Sequence, residues 1–137
     1  LSEAELRRGD VSLAYVSQRM GRAYSVVPEF RRILQSIWHQ VNSAGQVLVV
    51  GILQEDGTVR GGTGWGAELA RVWNKPLWVF DQEREAWFQW VVLDQTWAAS
   101  EIPTLRPGGI CGTGTRSLSV AGRAAIESVF EHSFSQD

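Results

Sequence analysis

Two short apolar runs with a glycine cluster between them constrain this chain more than any other feature. Val47 to Leu53 is almost unbroken in its apolar character and rich in valine, and Leu77-Trp78-Val79-Phe80 repeats the pattern. A strand with one wet face alternates apolar and polar residues, so an unbroken apolar run implies cover on both faces, as in a parallel sheet. Between the runs, Gln54 to Arg60 is polar, and Gly61-Gly62-Thr63-Gly64-Trp65-Gly66 reads as a tight turn. Ala67 to Trp73 then reads as a helix stopped by Asn74-Lys75-Pro76. This order predicts a βαβ unit whose two strands are adjacent and parallel.

The flanking sequence extends the pattern. Leu6 to Arg22 reads as a helix, with Leu13, Val16 and Met20 at helical spacing and Gly21 as its stop. Pro28 suits a first helical turn. Behind it Phe30, Ile33, Leu34, Ile37, Trp38 and Val41 form one apolar stripe, ended by Asn42-Ser43-Ala44-Gly45. Ala86 to Leu93 has strong β propensity and is expected to pair antiparallel with its predecessor or to lie at an edge. Thr96 to Ile102 can add a short strand, Pro103 to Gly109 a loop, and Ile110 to Thr113 a last short strand. Ser117 or Ser119 can cap a final helix whose stripe is Ala125, Ile126, Val129, Phe130 and Phe134. The fold class expected is α/β: a single three-layer domain over residues 1–137 with a short, mostly parallel sheet.

Totals narrow the function classes. The 137 residues are a usual size for one domain. A net charge of −2 supplies no basic surplus to displace counterions from phosphates, which argues against a nucleic-acid partner. No apolar run approaches the roughly 20 residues of a membrane span. Cys111 is the only cysteine, so no internal disulfide can form, and a reducing, cytoplasmic setting is expected. The chain opens Leu1-Ser2-Glu3-Ala4-Glu5, without a starting Met or the features of a signal peptide, so it reads as trimmed or as a fragment. Seven tryptophans invite two readings, packing between sheet and helices or an aromatic ligand platform, and packing is the commoner use.

Chemistry concentrates at two glycine clusters. Gly61, Gly62, Thr63 and Gly64 precede a helix, whose first N–H groups and positive dipole end suit phosphate or carboxylate. Gly108-Gly109 and Gly112, Thr113, Gly114, Thr115 and Arg116 add hydroxyls and a guanidinium, and arginine matches phosphate in a bidentate contact. Neither cluster is a Walker loop, and the first lacks the spacing of the dinucleotide fingerprint. Either can also be only a turn. Glu68 falls early in the helix after the first cluster, where it either faces a ligand at the helix end or is a solvated first-turn acid. His39 and His132 read as solvated or capping, Asp81 and Glu83 as solvated, and Cys111 as a small buried thiol. No His or Cys pair has metal-ligand spacing, so no metal is expected, and no cofactor is indicated.

Several stretches resemble a family. They are Gly61-Gly62-Thr63-Gly64-Trp65, Lys75 to Gln82, Trp87-Phe88-Gln89-Trp90, Pro103-Thr104-Leu105 and Gly112-Thr113-Gly114-Thr115-Arg116, with Trp38 to Val41 more loosely. The chain resembles uncharacterised bacterial and phage Rossmann-like proteins related to the molybdenum-cofactor-carrier and lysine-decarboxylase-like (LOG-type) nucleotide-binding proteins. The resemblance implies a Rossmann-like domain binding a nucleotide or another phosphate-bearing ligand. LOG-type relatives are phosphoribohydrolases with the motif Gly-Gly-x-Gly-Thr-x-x-Glu. Gly61, Gly62, Gly64 and Glu68 fit that spacing, and Trp65 stands in place of the Thr. The resemblance also implies that a first strand, glycine loop and helix are missing before Leu1.

Three functions follow as expectations: a binding protein for a phosphate-bearing small ligand, a nucleoside-monophosphate glycosidic-bond hydrolase using Glu68, and an oligomer-forming domain with a vestigial site. Self-association is expected because the missing strand would leave one side of Val47–Leu53 open, with no charge or proline to protect it.

Overall fold

The computed structural model describes residues 2–24, 27–61, 63–106, 109–114 and 119–134. The chain begins with a short helix α1 (Glu3–Leu6) and a 3-10 turn (Arg7–Gly9). Helices α2 (Asp10–Met20) and α3 (Pro28–Ser43) follow, then strand β1 (Gln46–Gly51), helix α4 (Thr63–Val72), strands β2 (Leu77–Asp81), β3 (Ala86–Val91), β4 (Thr96–Ser100) and β5 (Ile110–Gly114), and helix α5 (Val120–Phe134). The strands form one open sheet in the order β4-β3-β2-β1-β5.

The βαβ expectation holds. β1 and β2 are neighbours and parallel, with Val47 opposite Leu77 and Gly51 opposite Asp81. All six β1 residues and all five β2 residues are buried, as unbroken apolar runs require. β3 runs antiparallel to β2, as expected, and β4 antiparallel to β3, because the connections 82–85 and 92–95 are too short for a crossover. The sheet is therefore half parallel rather than mostly parallel.

Successive side chains of β1 point to opposite faces, and each face has its own core. Val47 and Val49 pack with Leu77, Val79, Cys111 and Trp90 under α2, α3 and α4, which contribute Leu13, Val16, Leu34, Trp38, Trp65 and Leu69. Leu48 and Val50 pack with Trp78, Phe80 and Trp87 under Ala125 and Val129 of α5. Helices therefore cover both faces of the sheet. Trp38, Trp65, Trp78, Trp87 and Trp90 are buried, which favours packing as the main use of tryptophan.

Four expectations are corrected. The second side of β1 is not open: β5 pairs parallel with it, Leu48 opposite Gly112 and Val50 opposite Gly114, so self-association through Val47–Leu53 loses its basis. The first long helix starts at Asp10, because Gly9 sits where a Cβ would lie 2.3 Å from the Trp38 ring, and a 3-10 turn passes that contact. Phe30 and Ile33 are 57% and 51% exposed, since the α3 stripe enters the core only through Leu34, Trp38 and Val41. Helix α4 starts at Thr63 rather than Ala67, which takes Gly64 and Gly66 into the helix.

Candidate functional site

Because β1, β2 and β5 are parallel, Gly51, Asp81 and Gly114 finish side by side on one rim of the sheet. The chain leaves β1 for α4 on one face, and it leaves β5 for α5 on the other. Adjacent parallel strands whose following helices part to opposite faces open a crevice at their C-terminal ends, and α/β sheets bind ligands in such crevices. Both helices start on this rim, so their N-terminal ends face the same side of the molecule.

The polar segment after β1 is a folded excursion. Leu53 bridges Val59 antiparallel, Gln54 donates to the Thr58 carbonyl at 2.8 Å, and Arg60 donates to the Ile52 carbonyl at 2.9 Å. Asp56 shapes its tip by accepting from the Thr58 N–H at 2.9 Å and the Thr58 hydroxyl at 2.6 Å. The excursion returns the chain to the rim at Gly61. There φ is +74° and nothing lies within 4 Å of where a Cβ would be, so the backbone conformation alone asks for glycine. Gly64 is glycine for a different reason. A Cβ there would lie 2.1 Å from the Val59 carbonyl oxygen and 2.6 Å from the Arg22 guanidinium. That guanidinium fastens the excursion from beneath, donating to the carbonyls of Gly61 and Val59, each at 2.9 Å, and to Gln54 Oε1 at 3.1 Å. Thr63 is buried, and its hydroxyl donates to the Arg60 carbonyl at 3.1 Å. Of the first cluster, Gly61 thus lines the open rim, Gly64 and Thr63 hold the turn together, and Gly62 lies outside the described residues.

The second cluster divides along β5. Gly112 and Thr113 are strand residues paired with Leu48 and Val49, and only Gly114 reaches the rim. Thr115 and Arg116 lie outside the described residues. Gln82 ties the two sides of the rim together. Its N–H donates to the Gly51 carbonyl at 2.8 Å, and its Oε1 accepts from the Ser119 N–H at 2.6 Å. Ser119 in turn caps α5, accepting from the Gly122 N–H at 2.9 Å. Gln82 and Arg22 are invisible as site builders in the sequence, because their partners are mostly backbone groups far along the chain.

Glu68 is the sixth residue of α4, and its side chain is 4% exposed. One carboxylate oxygen accepts from Arg19 Nε at 2.8 Å, and the other from an Arg71 terminal nitrogen at 3.0 Å. The arginines come from α2 and from the next turn of α4, so the acid stitches two helices together. Arg71 also lies over the Trp90 ring, 4.0 Å from its centre, and donates to the Gly57 carbonyl at 3.0 Å. Desolvation lowers the Arg71 pKa, and the neighbouring carboxylate of Glu68 opposes that shift.

Asp81 is fully buried, contrary to the solvated expectation. Burial alone would push its carboxyl up. The N–H groups of Arg84, Leu53 and Glu83 and the Arg84 guanidinium outweigh that and hold it below the usual aspartate value. It locks the end of β2 to the β1 excursion and is not offered to a ligand. Between these two loops an open polar cleft of about 590 Å³ is lined by Glu55, Asp56 and Glu83 against Arg60 and Arg84. That near-balance of charge favours no anion. His39 Nε2 lies 2.5 Å from the Glu5 carbonyl oxygen and His132 Nε2 3.1 Å from the Thr104 hydroxyl. Among the described residues no three His, Cys, Asp or Glu side chains group as metal ligands. Cys111 is buried, and burial pushes its thiol up. No described helix is long and apolar enough to cross a membrane.

Comparison of the chain with protein-family models, with curated proteins and with solved structures found no match.

Proposed function

We propose that this is a Rossmann-like domain of the kind the glycine clusters resemble, and that it binds a phosphate-bearing, nucleotide-like small molecule in the crevice between the C-terminal ends of β1 and β5. The observation that carries the reading is the parting of the chain at this point, α4 to one face and α5 to the other, with Gly61 open on the rim. Such a crevice directs helix N-termini at one spot, where a phosphate completes their missing hydrogen bonds. Arg116 follows β5 by two residues in the chain and supplies the counter-charge. A lone buried thiol suits a cytoplasmic setting.

The geometry supports binding more than glycosidic hydrolysis. A carboxylate that assists departure of a base needs an oxygen free to accept or pass a proton. Both oxygens of Glu68 are occupied by arginines.

Calorimetric titration with adenosine monophosphate and with adenosine tests the proposal. Binding of the monophosphate at least about tenfold tighter, near 1.4 kcal/mol, is expected. Arg116→Ala should remove most of that preference. Equal affinity for the two ligands contradicts the phosphate reading.

A further inference from the structure

Between α5 and the sheet lies an apolar cavity of about 240 Å³. Its floor is Leu48 and Val50 of β1 with Gly112 of β5, and Trp87, Val129 and Phe130 stand around it. Gly112 pairs with Leu48, two residues below the Val50–Gly114 pair that reaches the rim. The cavity thus runs under α5 below the rim, and of the residues named only Val50 belongs both to its floor and to the pair at the rim.

Its chemistry, size and shape select one class of occupant. Among the described lining residues none carries a charged or amide side chain. An ion or a strongly polar group placed there would lose its water without gaining partners. The volume lies between the roughly 150 Å³ apolar cavity that accepts benzene and the roughly 300 Å³ at which drug-sized sites begin, so a fused pair of rings fits and a whole nucleotide does not. At Gly112 a Cβ would meet nothing within 4 Å, which leaves bare strand backbone as a flat surface for a ring. Trp87, itself edge-on to Phe80 at 5.4 Å, and Phe130, 49% exposed at the mouth, add aromatic faces and edges for a planar guest. We propose that this cavity binds an uncharged, planar, bicyclic aromatic group.

Indole is the probe, followed by amide chemical shifts of the labelled protein. Saturable binding at one site is expected, with the largest shifts at Gly112 and Val129. Gly112→Leu fills the cavity from the floor. It should weaken indole at least about tenfold while the thermal midpoint holds or rises, since a Cβ at this position meets nothing within 4 Å and the further atoms have the cavity to enter. Phe130→Glu sets a carboxylate at the mouth and provides a second loss that does not touch the strand. Indole-3-acetate should bind more weakly than indole to the unaltered protein. The proposal is overturned by absence of saturable binding, by equal affinity in both variants, or by an acetate that binds as tightly as indole. It is also overturned if sedimentation shows a second copy burying this cavity in a dimer that Gly112→Leu dissociates.

Discussion

The two faces of the sheet are built to different standards. On one, α4 packs on the strands and α2 and α3 pack on α4, all three sharing one core with Val47, Val49, Leu77 and Val79, and polar clamps close the seams around them. Arg22 pins the excursion after β1 through the carbonyls of Val59 and Gly61, Trp97 donates to the Gly57 carbonyl at 2.8 Å, and Lys75 donates to the Ala44 carbonyl at 2.8 Å. On the other, among the described residues, α5 is the one helix that packs with Leu48, Val50, Trp78 and Phe80, with Leu105 beside it, and it leaves a cavity. The first face uses its glycines for close approach, and the second leaves a glycine facing open space. Close packing makes a face intolerant of added volume, and loose packing makes it a place where something else can fit.

The sharpest contrast is one methyl group. Gly64→Ala drives a Cβ into the Val59 carbonyl, a backbone atom that cannot step aside alone. It should cost about 3 kcal/mol, the upper part of the usual range for overpacking. A loss under about 1 kcal/mol in denaturant unfolding would mean the excursion yields easily, and the first face is not closely built.

Next in size is Glu68→Gln, which removes the charge that holds Arg19 and Arg71 together. Breaking a fully buried pair costs about 3–5 kcal/mol. Arg19 is 37% exposed and Arg71 13%, so solvent relieves part of this, and about 2 kcal/mol is expected. An unchanged unfolding midpoint would show that the acid is not a structural stitch, and would strengthen a chemical role for it.

Asp81 gives a pH signature. Its folded pKa is depressed, so its contribution is present above the unfolded value, near about 4, and disappears as pH falls through the folded value. The stability gap between the parent protein and Asp81→Asn should be roughly 1–2 kcal/mol at neutral pH and narrow below about pH 4. A gap that stays constant down to about pH 2 contradicts the assignment. Smallest is the mirror of the first prediction. Gly112→Ala on the open face should raise stability by up to about 1 kcal/mol through loss of unfolded-chain freedom. Destabilisation would show that the space beside α5 is not open.

Much of the frame is legible in the sequence, because buried parallel strands announce themselves as unbroken apolar runs. Val47–Leu53 and Leu77–Phe80 are recognisable for that reason, and the β2–β3 turn for its shortness. The position of β5 is not legible. Ile110-Cys111-Gly112-Thr113-Gly114 carries little pattern, and its place beside β1 is decided by pairing with a strand far back in the chain. The start of α4 is hidden because glycine disfavours helices in isolation, whereas Gly64 is held there by what lies against it. At the site, Glu68 and Arg71 sit at a spacing that suggests an ion pair, but Arg19 lies 49 residues away and gives no sign of its role. The burial of Asp81 is hidden because most of its donors are backbone N–H groups, which every sequence has.

The central claim is that the rim between β1 and β5 receives a phosphate-bearing ligand. The most direct measurement is a map of amide shifts on titration with adenosine monophosphate. The account predicts saturable shifts at Gly51, Gly61, Gly114 and Ser119, with α2 and α3 silent. Shifts confined to the α2–α3 side, or no saturable shift at millimolar ligand, would contradict it.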